Sequence, residues 1–265
     1  MYLQTGTVAT HCELGGAGSE VVFIHGHAID ARQWDPQWEP FCARHRCLRY
    51  DLRGHGRSSA PPGDYSLDRF AADLEILLNR VGFERPALIG LSFGGLIAME
   101  LALSAPQRVR GLVLVDTALE GFAYSEAYRR GWRAVRQAAR RDGVRRALEQ
   151  AWLSSELFRP LRGQPARFEQ IRRMAQGYSG VEYLHDRSRR EPAQTVLHRL
   201  QQIRCPTLVL TGERDSDDFH AIATLIGEKI SGARRLVIRG AGHLSCFENP
   251  AAFNPAVLDF LADLP

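Results

Sequence analysis

Short runs of Val, Ile and Leu recur along the chain at residues 21–24, 47–51, 87–91, 112–116, 207–211 and 235–238. They are near-continuous rather than alternating, the pattern of strands covered on both faces in a parallel sheet. Between them apolar residues return at helical spacing. Phe70, Leu74, Leu77, Leu78 and Val81 predict an amphipathic helix over 67–81, with Ser66 as its N-cap and Gly82 as its stop. Further helices are expected over 93–104, 219–230 and 250–261. Residues 3–14 alternate polar and apolar, which reads as an antiparallel hairpin at a sheet edge. Strand and helix in alternation predict an α/β fold built on a mostly parallel, doubly wound sheet.

Residues 121–204 break this rhythm. They contain no strong strand candidate, and carry Phe122, Tyr124, Tyr128, Trp132, Trp152, Phe158, Phe168, Tyr178 and Tyr183 among dense arginines. We expect a helical lid there, inserted into a core formed by residues 1–120 and 205–265. Charge divides along the same line. The whole chain has a net charge of +4. The segment 121–204 holds 18 arginines against 8 acidic residues, a local balance of +10, which leaves −6 for the rest. The positive charge therefore belongs to the lid, and no nucleic-acid partner is expected. The lid arginines read either as a solvated helix exterior or as an attractor for carboxylate-bearing substrates.

The remaining composition narrows the class. With 45% hydrophobic and 24% charged residues the chain is neither disordered nor collagen-like. No apolar stretch reaches eighteen residues, so no membrane span is expected. The N-terminus shows no signal-peptide pattern. Five scattered cysteines suggest free thiols, and a cytoplasmic location is expected. No metal-ligand pattern, phosphate loop or dinucleotide fingerprint occurs, so neither metal nor cofactor is expected.

The candidate chemistry begins at Gly90-Leu91-Ser92-Phe93-Gly94-Gly95, between an expected strand and an expected helix. A serine on such a turn holds its Oγ clear of the backbone, and glycines at 90 and 94 avoid collisions with the neighbouring elements. The Phe93 N–H, at the start of the helix, would face a developing oxyanion. A serine nucleophile needs a base, and the base an orienter. His243 follows the last strand and Asp215 the fifth. Both thus stand at carboxyl ends of strands, where ligands bind in open parallel sheets. Asp217 and Asp218 compete with Asp215, which is preferred for its shorter loop. His27, after the strand at 21–24, offers a backbone N–H as a second oxyanion donor. Its side chain faces either the pocket or solvent. The His25 side chain is expected to hydrogen-bond behind that loop. Trp34 and Leu244 are candidate walls of a substrate pocket.

Taken together, these residues resemble the α/β-hydrolase superfamily. The resemblance rests on His25-Gly26-His27, on Asp51-Leu52-Arg53-Gly54-His55-Gly56-Arg57-Ser58, on the turn around Ser92, on Gly212-Glu213-Arg214-Asp215, and on Gly242-His243 with Glu248 and Pro250 downstream. With Pro61-Pro62-Gly63-Asp64-Tyr65 the chain is most similar to small bacterial carboxylesterases and 3-oxoadipate enol-lactonases. The resemblance implies cleavage of a small-molecule carboxylic ester by Ser92, His243 and Asp215, with no cofactor. Two departures keep other readings open. His27 stands where a larger apolar residue or glycine is common, and residues 216–220 lack the proline of many lactonase loops. The alternatives are enol-lactone hydrolysis, carbon–carbon bond hydrolysis, and non-catalytic ligand binding on the same scaffold.

Overall fold

The computed structural model describes residues 1–184 and 194–265. Its strands are β1 (Tyr2–Thr5), β2 (Val8–Gly15), β3 (Glu20–Ile24), β4 (Arg46–Tyr50), β5 (Ala87–Leu91), β6 (Gly111–Val115), β7 (Thr207–Gly212) and β8 (Arg234–Ile238). They form one sheet in the order β1-β2-β4-β3-β5-β6-β7-β8. The β1–β2 and β2–β4 pairs are antiparallel, and every pairing from β4 onward is parallel. The expected hairpin at 3–14 is thus the β1–β2 pair, on one edge of the sheet.

The unbroken apolar runs follow from cover on both faces. In β3, Val21 and Phe23 join a core with Trp34, Phe41 and Phe253, while Val22 and Ile24 join one with Phe70, Leu74 and Ile97. Successive strand residues point to opposite faces, so a doubly covered strand must be apolar throughout. β5, β6 and β7 are buried along their whole length. β8 is not: its first four residues are exposed, Leu236 and Val237 among them, because it forms the other edge of the sheet.

The helix Leu67–Val81 has the expected bounds. Ser66 Oγ accepts the Arg69 N–H, and Gly82 ends the helix in the left-handed region at φ 69°. The other expected helices appear as Phe93–Ser104, Asp217–Lys229 and Pro250–Ala262.

Among the described residues, the chain between β6 and β7 contains helices and no strand. The longest are Glu126–Asp142 and Pro165–Ala175. Residues 185–193, with Arg187, Arg189 and Arg190, fall in the expected lid but lie outside the described residues. Glu126–Asp142 is capped by Ser125, whose Oγ accepts the Tyr128 N–H. Ser125 is itself tied to the core, donating its N–H and hydroxyl to Asp218. That helix buries Val135 and Ala139, and on its exposed side Arg129 and Arg133 pair with Glu126. Arg172 and Arg173 pair with Glu169 in the same exposed manner. Among the described residues no helix is long and apolar enough to cross a membrane.

Candidate active site

Ser92 sits between β5 and the helix Phe93–Ser104 at φ 51°, ψ −111°, a backbone conformation that L-residues rarely adopt. The turn is held from three sides. Its N–H donates to the Val115 carbonyl of β6, and its own carbonyl accepts the Gly95 and Ala118 N–H groups. The glycines are sterically required. A Cβ on Gly94 would lie 2.2 Å from the Ile24 carbonyl oxygen, and one on Gly90 would lie 2.4 Å from the Gly94 oxygen. Three non-glycine residues among those described have positive φ, namely Ala28, Ser92 and Asp116. All three stand just beyond the carboxyl ends of strands β3, β5 and β6, where this fold places its chemistry.

His243 follows β8, and its Nε2 lies 3.1 Å from Ser92 Oγ. Its Nδ1 lies 2.9 Å from Asp215 Oδ2, and the other Asp215 oxygen accepts the Ser216 N–H at 2.7 Å. The geometry separates the three aspartates. Asp217 and Asp218 open the helix Asp217–Lys229, and Asp218 is engaged with Ser125. Asp215 alone of the three holds the imidazole. Burial opposes charge on His243, but the charge and hydrogen bond of Asp215 prevail, and the imidazole titrates above its usual value.

Two further buried carboxylates frame the histidine. Asp116, at the end of β6, accepts the Gly212 N–H at 2.7 Å, the Ser245 N–H at 2.9 Å and the Ser245 hydroxyl at 2.6 Å. It therefore ties the loop leading to Asp215 to the loop leaving His243. Burial, and then the neighbouring charge of Asp215, push its carboxyl well above the usual range. Glu248 accepts the Gly242 and Leu244 N–H groups at 2.8 and 3.1 Å, bracketing His243. Glu248 is visible in the sequence only as part of a motif, and Asp116 only as the end of the strand at 112–116. The signal for Asp116 was its place directly after a buried strand, the same rule that finds Asp215.

A cavity of about 30 Å³ opens over Ser92, lined in part by Gly26, His27, Leu244, Tyr128, Trp152 and Phe158. Leu244 is thus on its wall. Trp34 is not. It is fully buried in the core against Phe23 and Phe253. The expectation of a pocket role for Trp34 is corrected here: it lies in the turn Ala31–Trp34, whose inner side faces the sheet rather than the strand ends. The walls missed in the sequence come mostly from the segment after β6. Among the described residues no arginine lines the cavity. His25 takes the supporting place expected of it: its Nε2 accepts the Leu52 N–H, and its Nδ1 donates to the Gly26 carbonyl. Gln33 Oε1 accepts the Gly26 N–H. The His27 side chain faces the site rather than solvent.

A strained serine at a strand-to-helix turn, an imidazole within reach of it, and an acid from the next loop form a line that can move a proton off the hydroxyl. Residues 20–250 match the alpha/beta hydrolase fold family. The chain belongs to that family. It is a hydrolytic enzyme, and its relatives are named for hydrolysis of different bonds. It is 29% identical over 272 residues to a protein of Azorhizobium caulinodans named carbamate hydrolase RutD, covering 99% of this chain and 98% of that one. It is 29% identical over 245 residues to 3-oxoadipate enol-lactonase 2 of Acinetobacter baylyi, covering 89% and 86%. Among solved structures, a thermophilic esterase from Thermogutta terrifontis superposes with a TM-score of 0.83 at 29% identity, over 98% of this chain and 96% of that one. An alpha/beta hydrolase of this kind takes its fold from the sheet and its substrate choice from the walls around the serine.

Proposed function

We propose that this alpha/beta hydrolase cleaves carboxylic esters of small molecules by acyl transfer through Ser92. His243 takes the Ser92 proton as Oγ attacks the ester carbonyl, and returns it to the departing alcohol. Asp215 holds the imidazole with its proton on Nδ1 and stabilises the imidazolium. The backbone N–H groups of Phe93 and His27 receive the oxyanion. Water, deprotonated by His243, then attacks the acyl-enzyme and releases the acid. The observation that carries this reading is the hydrogen-bonded line Asp215–His243–Ser92, ending at a small apolar cavity.

The walls support short, uncharged acyl groups. They are aromatic and aliphatic and carry no arginine among the described residues. That composition argues against a carboxylate-bearing enol-lactone as the preferred substrate, despite the similarity to a lactonase. The test is a panel of p-nitrophenyl esters, a neutral lactone, a carboxylate-bearing enol-lactone and an alkyl carbamate, with wild type and Ser92→Ala. We expect the short neutral esters to turn over fastest and Ser92→Ala to lose roughly 10⁴-fold or more. An organophosphonate should label Ser92. A label on another residue, or full activity in Ser92→Ala, would remove the serine mechanism.

A further inference from the structure

We propose that Glu182 and Tyr183, on the segment between β6 and β7, are positioning residues for His27, so that this segment completes the oxyanion hole. The inference rests on the acyl-transfer reading above and deepens it.

The short helix Val181–Leu184 carries both residues. Glu182 Oε1 lies 3.0 Å from His27 Nδ1, and the Tyr183 hydroxyl lies 2.5 Å from His27 Nε2. The Tyr178 hydroxyl donates to the same Glu182 oxygen at 2.6 Å. Arg140 Nε donates to the Tyr183 carbonyl, tying the helix Glu126–Asp142 into the cluster. The Glu182 carboxylate can only accept, so His27 Nδ1 bears a proton and donates to it. Burial pushes the Tyr183 phenol well up, so a neutral hydroxyl stands against Nε2. Both ring nitrogens are thereby occupied, and the ring is boxed by Trp132 and Tyr178 at 5.0 Å and His55 at 5.8 Å. An imidazole so filled is not the acid or base for a substrate. What it supplies is position.

Position matters because of the peptide just before it. The Gly26 carbonyl is turned back onto His25 Nδ1 at 2.7 Å. In a trans peptide the following N–H points the opposite way, which aims the His27 N–H away from His25. Ala28, at φ 58°, departs in a strained conformation. The core thus fixes the plane of the 26–27 peptide, while the His27 side chain is gripped from the far side of the cavity. An oxyanion donor must sit about 2.7–3.1 Å from the oxygen it stabilises, so a loosened residue 27 loses part of its effect.

The experiment measures kcat and KM on a short p-nitrophenyl ester, and the Ki of an aryl trifluoromethyl ketone, which forms an oxyanion when Ser92 adds to it. Removing one oxyanion donor outright costs roughly 10²–10³-fold. Displacing one should cost less, so we expect Glu182→Leu to lower kcat by about 10- to 100-fold with KM within about 3-fold, and to weaken the ketone by a similar factor. Glu182→Gln keeps the acceptor and should recover most of the loss. Tyr183→Phe should lower kcat by about 3- to 10-fold, and it carries the test if Glu182→Leu does not fold. In a His27→Ala background, Glu182→Leu should cost nothing further. A lowered Tm with wild-type kcat would overturn the inference, as would a raised KM at constant kcat, or additive losses with His27→Ala. Turnover by Ser92→Ala removes the acyl-transfer reading itself. An inactive Ser92→Ala beside unimpaired Glu182→Leu and Tyr183→Phe removes the inference alone.

Discussion

The sheet side of the site and the segment that covers it are built by different means. On the sheet side each functional group hangs on backbone. Ser92, Asp215 and His243 follow β5, β7 and β8, and Asp116 and Glu248 lock their loops through peptide N–H groups. On the covering side the contacts that wall the site run side chain to side chain, through aromatic rings and through Glu182 and Tyr183. Its outer surface carries exposed ion pairs such as Arg173 with Glu169. Backbone anchoring gives a geometry that tolerates little change. Side-chain walls can be exchanged one at a time, which is why one fold accommodates many substrates.

Four changes probe that contrast, in order of expected effect. Asp215→Asn should cost roughly 10³–10⁴-fold in kcat, because the imidazole loses its orienting carboxylate. It should also move the acid limb of kcat/KM. The neutral imidazole is the active form, and Asp215 raises its pKa above the usual histidine value. Wild-type activity should therefore fall, as pH falls, through a midpoint above about 6.5, and the variant's midpoint should lie lower. An unmoved limb would show that another group limits the acid side.

Next comes Gly94→Ala. The added methyl meets backbone atoms of β3 that cannot swing away. The cost should be on the order of 3 kcal/mol, seen as a Tm lowered by roughly 6–12 °C. A normal Tm would mean that the turn is softer than its contacts indicate. Phe158→Ala acts on the other side. Phe158 is buried against Trp152 and lines the cavity. The variant should raise the hexanoyl-to-acetyl ratio of kcat/KM by roughly 10-fold, since each accommodated methylene is worth about 0.8 kcal/mol. No change in the ratio would place acyl binding elsewhere.

The smallest effect is expected from the arginine-rich exterior. Glu169→Ala should leave Tm unchanged within error, because its partners stay solvated. Added salt should change kcat/KM for anionic and neutral esters alike. A selective fall for anionic esters would restore a steering role to the arginines.

The contrast also explains what could be read from the chain. The strands, the helix Leu67–Val81 and the turn at Ser92 were legible, because burial on two faces and tight turns restrict which residues can stand at each position. Asp215 was legible through its short loop, but its separation from Asp217 and Asp218 needed the hydrogen bond to His243 and the engagement of Asp218 by Ser125. Trp34 was misread, since an aromatic residue packs equally well into a core or a pocket wall.

Local sequence determined the α/β-hydrolase fold and the order of its chemical groups, because strand burial and turn sterics act over a few residues. Only the tertiary structure decided which rings wall the cavity, that no described arginine lines it, and that Glu182 and Tyr183 meet His27 from about 155 positions away. Those contacts join residues far apart in the chain within one hydrophobic core, and no spacing along the chain encodes their meeting.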